Sequence, residues 1–553
     1  MSDPGPRTDP ITAAGTPSGP TGSNCPQAQG VVPETWDSLF WGCTCPSLSP
    51  FAPRKVQCFR GAKADSGRHR RNRLHRPLAW LWVGLWVLAL SGCHPSPQTE
   101  PDKPPLAGTR VRLLIVGDAP LATAAARLQG EWQAQTGSEF EISQTTEEQF
   151  AHGPNLEQDA VIGPSHQLGP AVQRGWLAPL ARKALQEATG NWSEIYELAR
   201  LHDTSWGEKN YGVPLGAPIL VCYCRADLLA RLDRQPPRTW TEYQELAQLL
   251  SQHAPAATPQ ADRTAQDWSA TAEPLGPGWA GLTLLARAAC YAKHPDNYST
   301  LFRIDDLEPL IDGPPFVRAL EELVAAAKLS PKAATGFTPT EVRAAFWQGR
   351  CGLALTWPTA AEPLSSHVDS QVKVLFAELP GSANVYHVGA KQWQARAPGD
   401  EGRVTLLGLA GRVGMVSATA QYPAATLQLL SWLSAAQPEH PLAAASGATT
   451  LSRPSQEKWP QAWTEKPVGA AAGQYVAILK RAQQRQQWLG APRIPGRTEY
   501  LAALDQAVAA ALAGSPPADA LRQAADRWRQ ITARLGPAQQ RAAYLRSLEL
   551  EPD

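Results

Sequence analysis

The amino-acid sequence predicts an α/β fold built around a parallel sheet. Three short strand-like runs, at residues 111–116, 140–142 and 159–162, alternate with Ala- and Leu-rich stretches of helical character. One helix is expected over residues 121–136, and another is expected to end near Gly175. Strands that alternate with helices in this way are typical of parallel α/β sheets.

Two turns that follow these strands are candidates for ligand binding. The first strand ends in Gly117-Asp118, and the third is followed by Gly163-Pro164-Ser165. Ligands of open α/β sheets bind beyond the carboxyl ends of the strands. This geometry nominates Asp118 and Ser165, whose carboxylate and hydroxyl can bind the hydroxyl groups of a ligand.

The central part of the chain continues the pattern. An apolar stretch at residues 219–224 predicts a further strand. Thr239 is expected to cap the helix that follows, because a threonine side chain accepts hydrogen bonds from the first N–H groups of a helix. Glu242, three residues later, is expected to complete a capping box.

The N-terminal region contains an export signal by composition. Five arginines between residues 68 and 76 precede an apolar run at residues 77–90, and the run closes on Leu90-Ser91-Gly92-Cys93. The run is shorter than the roughly 20 residues of a membrane-spanning helix and fits the core of a signal peptide. The ending resembles the lipobox of bacterial lipoproteins, which implies a signal peptide at residues 68–92 and a lipid on Cys93. The alternative is a single-pass anchor with a chance cysteine. Both place the chain after Cys93 outside the cytoplasm, tethered to a membrane.

The flanking segments and the net charge further restrict the domain organisation and the possible partners. Residues 1–67 are rich in Gly, Pro and Ser, which predicts either a disordered leader or a mis-assigned start codon. Residues 93–108 are Pro-rich and polar, as expected for a tether. After residue 92 the chain has 41 basic and 45 acidic residues, so no nucleic-acid partner is expected.

The sequence contains no motif that predicts catalysis, a metal or a cofactor. The histidines lack metal-ligand spacing, and no nucleophile elbow or phosphate-binding loop occurs. We therefore expect a binding protein and not an enzyme. Four cysteines follow Cys93, and both disulfides and buried thiols are consistent with their positions: Cys222, Cys224, Cys290 and Cys351.

The order of several motifs resembles extracellular solute-binding proteins of ABC importers, in the branch that includes maltose-binding protein. The resemblance covers about residues 109–550 and rests on segments 116–118, 159–162, 175–180, 211–214, 222–228, 236–242, 345–352, 406–417 and 492–495. It implies the two-lobed type II fold of periplasmic binding proteins. Each lobe would be a mixed sheet flanked by helices, with the ligand cleft between the lobes. Lobe one would comprise residues 109–214 and 412–465, and lobe two residues 219–405 and 466–550.

Aromatic residues and the resemblance nominate the rest of the site. Fifteen of the 20 tryptophans follow Cys93, and aromatic rings stack on the apolar faces of sugars. Trp279, Trp357 and Tyr500 are nominated from lobe two. Arg412, beside the predicted second crossing between the lobes, is expected either to bind an acidic or hydroxyl-rich ligand or to form an interlobe or surface ion pair.

The resemblance also implies a function. The protein would be a monomeric, lipid-anchored receptor that binds a small solute, most simply a carbohydrate, and delivers it to the ABC permease subunits in the membrane. Gly163 and Leu501 stand where the maltose-binding branch has tryptophans, which argues against a maltodextrin-specific site. The alternative is a sensor or scaffold lipoprotein of the same fold without a transport role.

Overall fold

The computed structural model describes residues 106–253, 268–362, 364, 368–435 and 441–552. The leader, the signal peptide, the lipidation site at Cys93 and most of the tether lie outside these residues, and their assignments stay predictions. None of the helices in the described ranges combines the length and the apolar character that crossing a membrane requires.

The strands of the described residues are numbered here in chain order. They are β1 (Arg110–Val116), β2 (Glu139–Thr145), β3 (Ala160–Pro164), β4 (Ser205–Trp206), β5 (Lys209–Asn210), β6 (Gly212–Gly216), β7 (Val221–Arg225), β8 (Ser269–Ala272), β9 (Cys351–Thr356), β10 (Val374–Glu378), β11 (Asn384–His387), β12 (Gln392–Ala395), β13 (Thr405–Leu407), β14 (Arg412–Val416) and β15 (Trp488–Gly490).

The α-helices of the same residues are numbered likewise. They are α1 (Ala119–Ala126), α2 (Gln129–Thr136), α3 (Glu147–His152), α4 (Leu168–Gln173), α5 (Arg182–Thr189), α6 (Ala226–Arg231), α7 (Trp240–Gln252), α8 (Ala280–Ala292), α9 (Pro314–Ala327), α10 (Pro339–Trp347), α11 (Pro423–Ser434), α12 (Ala472–Gln483), α13 (Arg497–Leu512), α14 (Pro517–Leu535) and α15 (Pro537–Ser547).

The first sheet lies within the ranges predicted for lobe one except for the end of β6, which runs to Gly216, two residues beyond the predicted boundary at residue 214. Its described strands run in the order β2-β1-β3-β14-β6. β1 is parallel to β2 and β3, whereas β14 is antiparallel to β3 and β6. The strand β14 therefore returns to this sheet from the far end of the sequence. β3 and β6 are buried throughout, as expected for strands covered on both faces.

The second sheet lies within the ranges predicted for lobe two. Its described strands run in the order β10-β7-β9-β8. β7 is antiparallel to both of its neighbours, and β8 is parallel to β9. Val221, where β7 begins, is in register with Thr356, where β9 ends. The edge at which the chain enters this sheet from lobe one is therefore the edge at which β8 and β9 end.

Two local predictions need correction. The helix expected over residues 121–136 is divided, because α1 ends before Arg127 and α2 begins at Gln129. At the start of α7, Thr239 accepts a hydrogen bond from the Glu242 N–H at 3.2 Å as expected. The Glu242 carboxylate, however, accepts from the N–H of Arg238 and not from Thr239, which shifts the reciprocal bond by one residue.

The C-terminal segment joins the two lobes. α15 packs on lobe two, where the ring of Tyr544 lies 5.0 Å from that of Phe302. The segment then reaches the β4–β5 hairpin of lobe one. The Gly207 N–H donates to the Arg546 carbonyl at 2.9 Å, and the Glu208 N–H donates to the Glu551 carboxylate at 3.3 Å.

A buried carboxylate, that of Glu465, lies at the predicted C-terminal boundary of lobe one. Glu465 is 3.2 Å from Nε of Arg343 and accepts a hydrogen bond from the Tyr223 hydroxyl at 3.3 Å. Both members of this ion pair have side chains that are 2% exposed. Burial raises the pKa of the Glu465 carboxyl to about 7, against the opposing effect of Arg343.

This raised pKa predicts a pH-dependent stability. Between about pH 4.5 and pH 7 the folded protein holds a proton that the unfolded chain releases, so its free energy of unfolding falls as pH rises through that window and levels off above it. The contribution is on the order of 3 kcal/mol. Glu465→Gln removes this titration. The free energy of unfolding of the variant, relative to that of the natural protein, should therefore rise as pH rises from about 4.5 to about 7 and stay constant above. Urea unfolding at each pH measures this.

The control is Glu499→Gln, since Glu499 forms an exposed ion pair with Arg534. This variant should have the pH profile of the natural protein. Parallel profiles for Glu465→Gln and the natural protein would contradict the prediction.

Candidate functional site

The carboxyl edge of the first sheet forms one wall of the site. Because β1 and β3 are parallel, the turns Gly117-Asp118 and Pro164-Ser165 lie at the same edge. β14 runs the other way, so its first residue, Arg412, lies there too, in register with Pro164. The sheet topology thus assembles three of the predicted site residues.

Asp118 and Arg412 bind each other. The Asp118 carboxylate accepts from Nε of Arg412 at 2.9 Å, from the Ser446 hydroxyl at 2.5 Å and from the Leu121 N–H at the start of α1 at 3.2 Å. Arg412 also donates to the Gly117 carbonyl at 3.2 Å. Both side chains are less than a tenth exposed. Arg412 thus forms an ion pair, but the pair is buried within lobe one and is not the interlobe or surface pair that was expected.

Ser165 lies beside the second crossing. Its N–H donates to the Gly411 carbonyl at 3.2 Å. Gly411 has a φ of +140°, and a Cβ there would come within 3.0 Å of the Ser165 hydroxyl and 2.9 Å of the Ala217 side chain. A glycine at this position keeps the approach to the serine hydroxyl clear.

A histidine and a glutamate complete this wall. Nε2 of His166 is 3.7 Å from the carboxylate of Glu147, which is 43% exposed. The pKa of His166 is lowered well below its usual value by burial and then by three guanidinium groups, those of Arg497, Arg412 and Arg493. The imidazole is therefore neutral near pH 7 and can donate and accept hydrogen bonds.

The opposite wall, from lobe two, is aromatic. Trp357 follows β9, and Trp279 precedes α8; their ring centroids are 5.5 Å apart at 49°. Nε1 of Trp357 donates across the lobes to the Gly447 carbonyl at 3.0 Å, and its own carbonyl accepts from Arg343 at 3.2 Å. Trp357 is buried, whereas Trp279 is half-buried. Trp279 is thus the more accessible ring.

Asp505 holds the turn that presents Trp279. Its two carboxylate oxygens accept from the N–H groups of Gly278 at 2.6 Å and Gly281 at 2.7 Å. These donors lie at the start of α8, where backbone N–H groups have no partner within the helix. α13, to which Asp505 belongs, therefore fixes the position of Trp279.

A buried ion pair joins the segment before this turn to the helix after it. Glu273, directly after β8, accepts from Arg287 of α8 at 2.7 and 2.9 Å and from the Tyr243 hydroxyl at 3.0 Å. The Arg287 guanidinium also lies over the ring of Trp240, 3.9 Å from its centroid. Burial of this kind requires that each charge be paired.

Arg497 begins α13 on the lobe-two side of the site. Gly496 precedes it in a left-handed conformation, with φ of +84°. The guanidinium donates to the carbonyls of Pro492 at 2.6 Å and Gly408 at 2.9 Å. Burial lowers the pKa of Arg497 to about 10.

Residues 128–439 match the family of bacterial extracellular solute-binding proteins, which is more than half of the chain. The chain belongs to this family. The match confirms the resemblance of the motif order, and it confirms the expectation of a binding protein and not an enzyme. The family is extracellular, in agreement with the predicted extracytoplasmic location. No curated protein matches the sequence.

Solved structures of solute-binding proteins share the fold. A protein from Agrobacterium radiobacter K84 in complex with ribitol is 18% identical, with a TM-score of 0.56 over 77% of this chain and 100% of its own. Maltose-bound MalE3 of T. maritima is 18% identical, with a TM-score of 0.54 over 76% and 100%. The sugar-binding protein MalE of Xanthomonas citri is 16% identical, with a TM-score of 0.57 over 77% and 98%. These likenesses confirm the two-lobed type II fold.

The structure corrects the placement of Tyr500. Its ring is fully buried against Phe302 and Trp528, with centroids 5.6 and 5.2 Å away. Its hydroxyl is hydrogen-bonded with that of Thr532 at 2.8 Å. Tyr500 therefore belongs to the core of lobe two and offers no face to a ligand.

Four residues around the site were missed by sequence reasoning: His166, Glu273, Arg497 and Asp505. Arg497 and Asp505 are eight residues apart, with Leu501 midway, so they share one face of α13. Helical spacing from Leu501 could have found both. Nothing in the sequence marks the pairing of Glu273 with Arg287.

The four cysteines are buried free thiols, which decides between the two expected states. The Sγ atoms of Cys222 and Cys224 are 3.7 Å apart on one face of β7. Burial raises the pKa of Cys290 and Cys351 to about 12. These thiols are unreactive core residues.

One histidine cluster lies outside the cleft. Potential ligand atoms of His294, Asp296 and His387 lie within 4.8 Å of one another. Nδ1 of His294 accepts from the Asp296 N–H, and Nδ1 of His387 accepts from the Ala390 N–H. In the neutral rings the remaining proton is on Nε2, which for His294 is 3.0 Å from Gln394 Oε1. Hydrogen bonds thus use both ring nitrogens of His294 and Nδ1 of His387, and Nε2 of His387 lies 3.6 Å from the Asp296 carboxylate.

We predict that Asp505→Ala destabilises the protein by about 1–3 kcal/mol, because two helix N–H groups lose their acceptor. Urea unfolding measures the loss. The control is Asp519→Ala, which removes an exposed carboxylate from α14 and should have little effect. Equal stabilities of the two variants would contradict the role of Asp505.

Proposed function

We propose that the protein is a lipid-anchored, extracytoplasmic receptor that binds a carbohydrate between its lobes and delivers it to an ABC permease. The ligand would be bound between Trp279 and Trp357 on one side and Asp118, Ser165 and Arg412 on the other. The lipid anchor would be attached to Cys93.

The observation that supports this proposal is the pair of rings of Trp279 and Trp357, since Trp357 is hydrogen-bonded to Gly447 and the neighbouring Ser446 binds Asp118 of the sheet edge. A sugar has apolar faces that stack on rings and hydroxyl groups that need fixed polar partners. The neutral His166 and the Ser165 hydroxyl supply partners of both kinds. Several structures that share the fold have a sugar or a polyol bound, namely ribitol, maltose or D-mannitol.

Binding would be coupled to closure of the lobes. The hydrogen bond from Trp357 to Gly447 joins the two walls, so an opened form has to break it. A ligand that contacts both walls binds the closed form better and shifts the population toward it. A permease that recognises the closed form would then accept only loaded receptor.

The second candidate function is a sensor or scaffold of the same fold. It requires the same cleft but a different membrane partner. Co-purification with permease subunits from the native membrane favours transport, and co-purification with a sensor kinase favours signalling.

A thermal-shift screen of the purified protein against sugars, polyols, amino acids and polyamines tests the ligand class. A ligand at 100 times its dissociation constant adds about 2.7 kcal/mol of stability. We expect stabilisation by members of the carbohydrate series alone. Stabilisation only by amino acids or polyamines would contradict the proposal.

Trp279→Ala should weaken binding of the sugar found in the screen by roughly tenfold or more, because burial of a ring of that size contributes on the order of 1–3 kcal/mol. Calorimetric titration measures the affinity. The control is Trp393→Ala, which removes a tryptophan that is 39% exposed on β12. If both variants bind as the natural protein does, the aromatic wall is wrongly assigned.

Cys93→Ser should abolish lipid labelling in cells and leave an unprocessed precursor, since the thiol is the acceptor of the lipid in lipoproteins of this type. Cys290→Ser, at a buried thiol of lobe two, is the control and should be labelled normally. Labelling of Cys93→Ser at the natural level would exclude lipidation at this residue.

A further inference from the structure

Three guanidinium groups lie near His166, and they differ in how their charges are balanced. Arg412 is paired with Asp118 at 2.9 Å. Arg493 is 2% exposed and has no carboxylate of the described residues within ion-pair distance, although the charges of Asp203 and Glu549 act on it. Arg497 likewise has none within that distance, and the charge of Glu147 acts on it, but Arg497 is half-buried and is therefore the more accessible of the two.

The partners of Arg497 are backbone carbonyls, those of Pro492 and Gly408. They hold the guanidinium in place and satisfy two of its five donors, but they do not neutralise its charge. Partly buried charge without a counterion is costly in a protein interior, and that cost is relieved by an anion that binds there. A neutral hydroxyl would satisfy a donor and leave the charge unbalanced.

Two neighbours place Arg497 at the cleft. On its own helix, Leu501 and Asp505 share its face, and Asp505 binds the turn of Trp279. From lobe one, the charge of Glu147 acts on Arg497, and that of Arg497 acts on His166. The guanidinium thus belongs to the helix that fixes the turn of Trp279 and is close enough to the carboxyl edge of the first sheet to act on His166.

We propose that the natural ligand is an acidic carbohydrate, with a carboxylate or phosphate group that binds Arg497. The inference rests on the proposed function and specifies its ligand class. The planar guanidinium suits either group, because both present paired oxygens to its N–H fork. Arg412, already bound to Asp118, is not the anchor.

Matched ligand pairs test the inference on the purified full chain. Titrations compare D-glucose with D-glucuronate and with glucose 6-phosphate, and D-galactose with D-galacturonate. We expect at least one acidic sugar to bind tenfold or more tightly than its neutral partner. Raising the salt concentration should weaken binding of the acidic sugar and leave that of the neutral sugar unchanged. The uronates and the phosphate distinguish the two anionic groups.

Variants of Arg497 assign the preference to this residue. Arg497→Gln should reduce the ratio of acidic-sugar to neutral-sugar affinity at least tenfold. Arg497→Lys retains a charge without the fork, so an intermediate preference is expected. Arg522→Gln, at an exposed ion pair on α14, is the matched control. Thermal unfolding confirms that each variant is folded, and the salt dependence of the natural protein provides a readout that needs no variant.

The outcomes are distinguishable. Preferential binding of neutral sugars, unaffected by Arg497→Gln, would overturn this inference and leave the proposed function standing. An acidic preference that persists in Arg497→Gln would place the anion elsewhere. Binding of neither sugar class would overturn the proposed function and this inference with it.

Discussion

The buried pair of Asp118 and Arg412 is the interaction on which the cleft depends. With Ser446, it joins the end of β1 to two segments about 300 residues later in the sequence, the start of β14 and the loop before Gly447. That loop supplies the acceptor for Trp357 of the other lobe. Removing one member of such a pair leaves an uncompensated charge and costs about 3–5 kcal/mol. The pair therefore sets the geometry of both the polar wall and the contact between the lobes.

Two arginines of the candidate site, Arg412 and Arg497, differ in the groups that bind them. Arg412 donates to the Asp118 carboxylate and to the Gly117 carbonyl, so its charge is neutralised within the protein. Arg497 is held equally firmly, but by carbonyl groups alone. Its charge is the one that we propose is neutralised by an anionic group of the ligand. The distinction follows from the acceptors and is invisible in the sequence, where both are single arginines after a glycine.

The sequence predicted the fold well because strand ends and motif order are local signals. Asp118 and Ser165 were placed at one edge of the sheet for that reason, since parallel strands bring their carboxyl ends together. The buried pair of Asp118 and Arg412 across 294 residues was not predicted, because pairing depends on which strands become neighbours. Tyr500 was misplaced by helical phase: one position along α13 separates the core face from the cleft face. The broken helix at Arg127 and the shifted bond of Glu242 arose from backbone geometry that residue types do not reveal.

The contact of the C-terminal segment with the β4–β5 hairpin gives the end of the chain an unusual position. The last helix belongs to one lobe, while the residues after it bind the other. Any hinge motion therefore changes the surroundings of the terminus as directly as those of the ligand. An environment-sensitive dye attached there would convert closure into an optical signal without any substitution in the cleft.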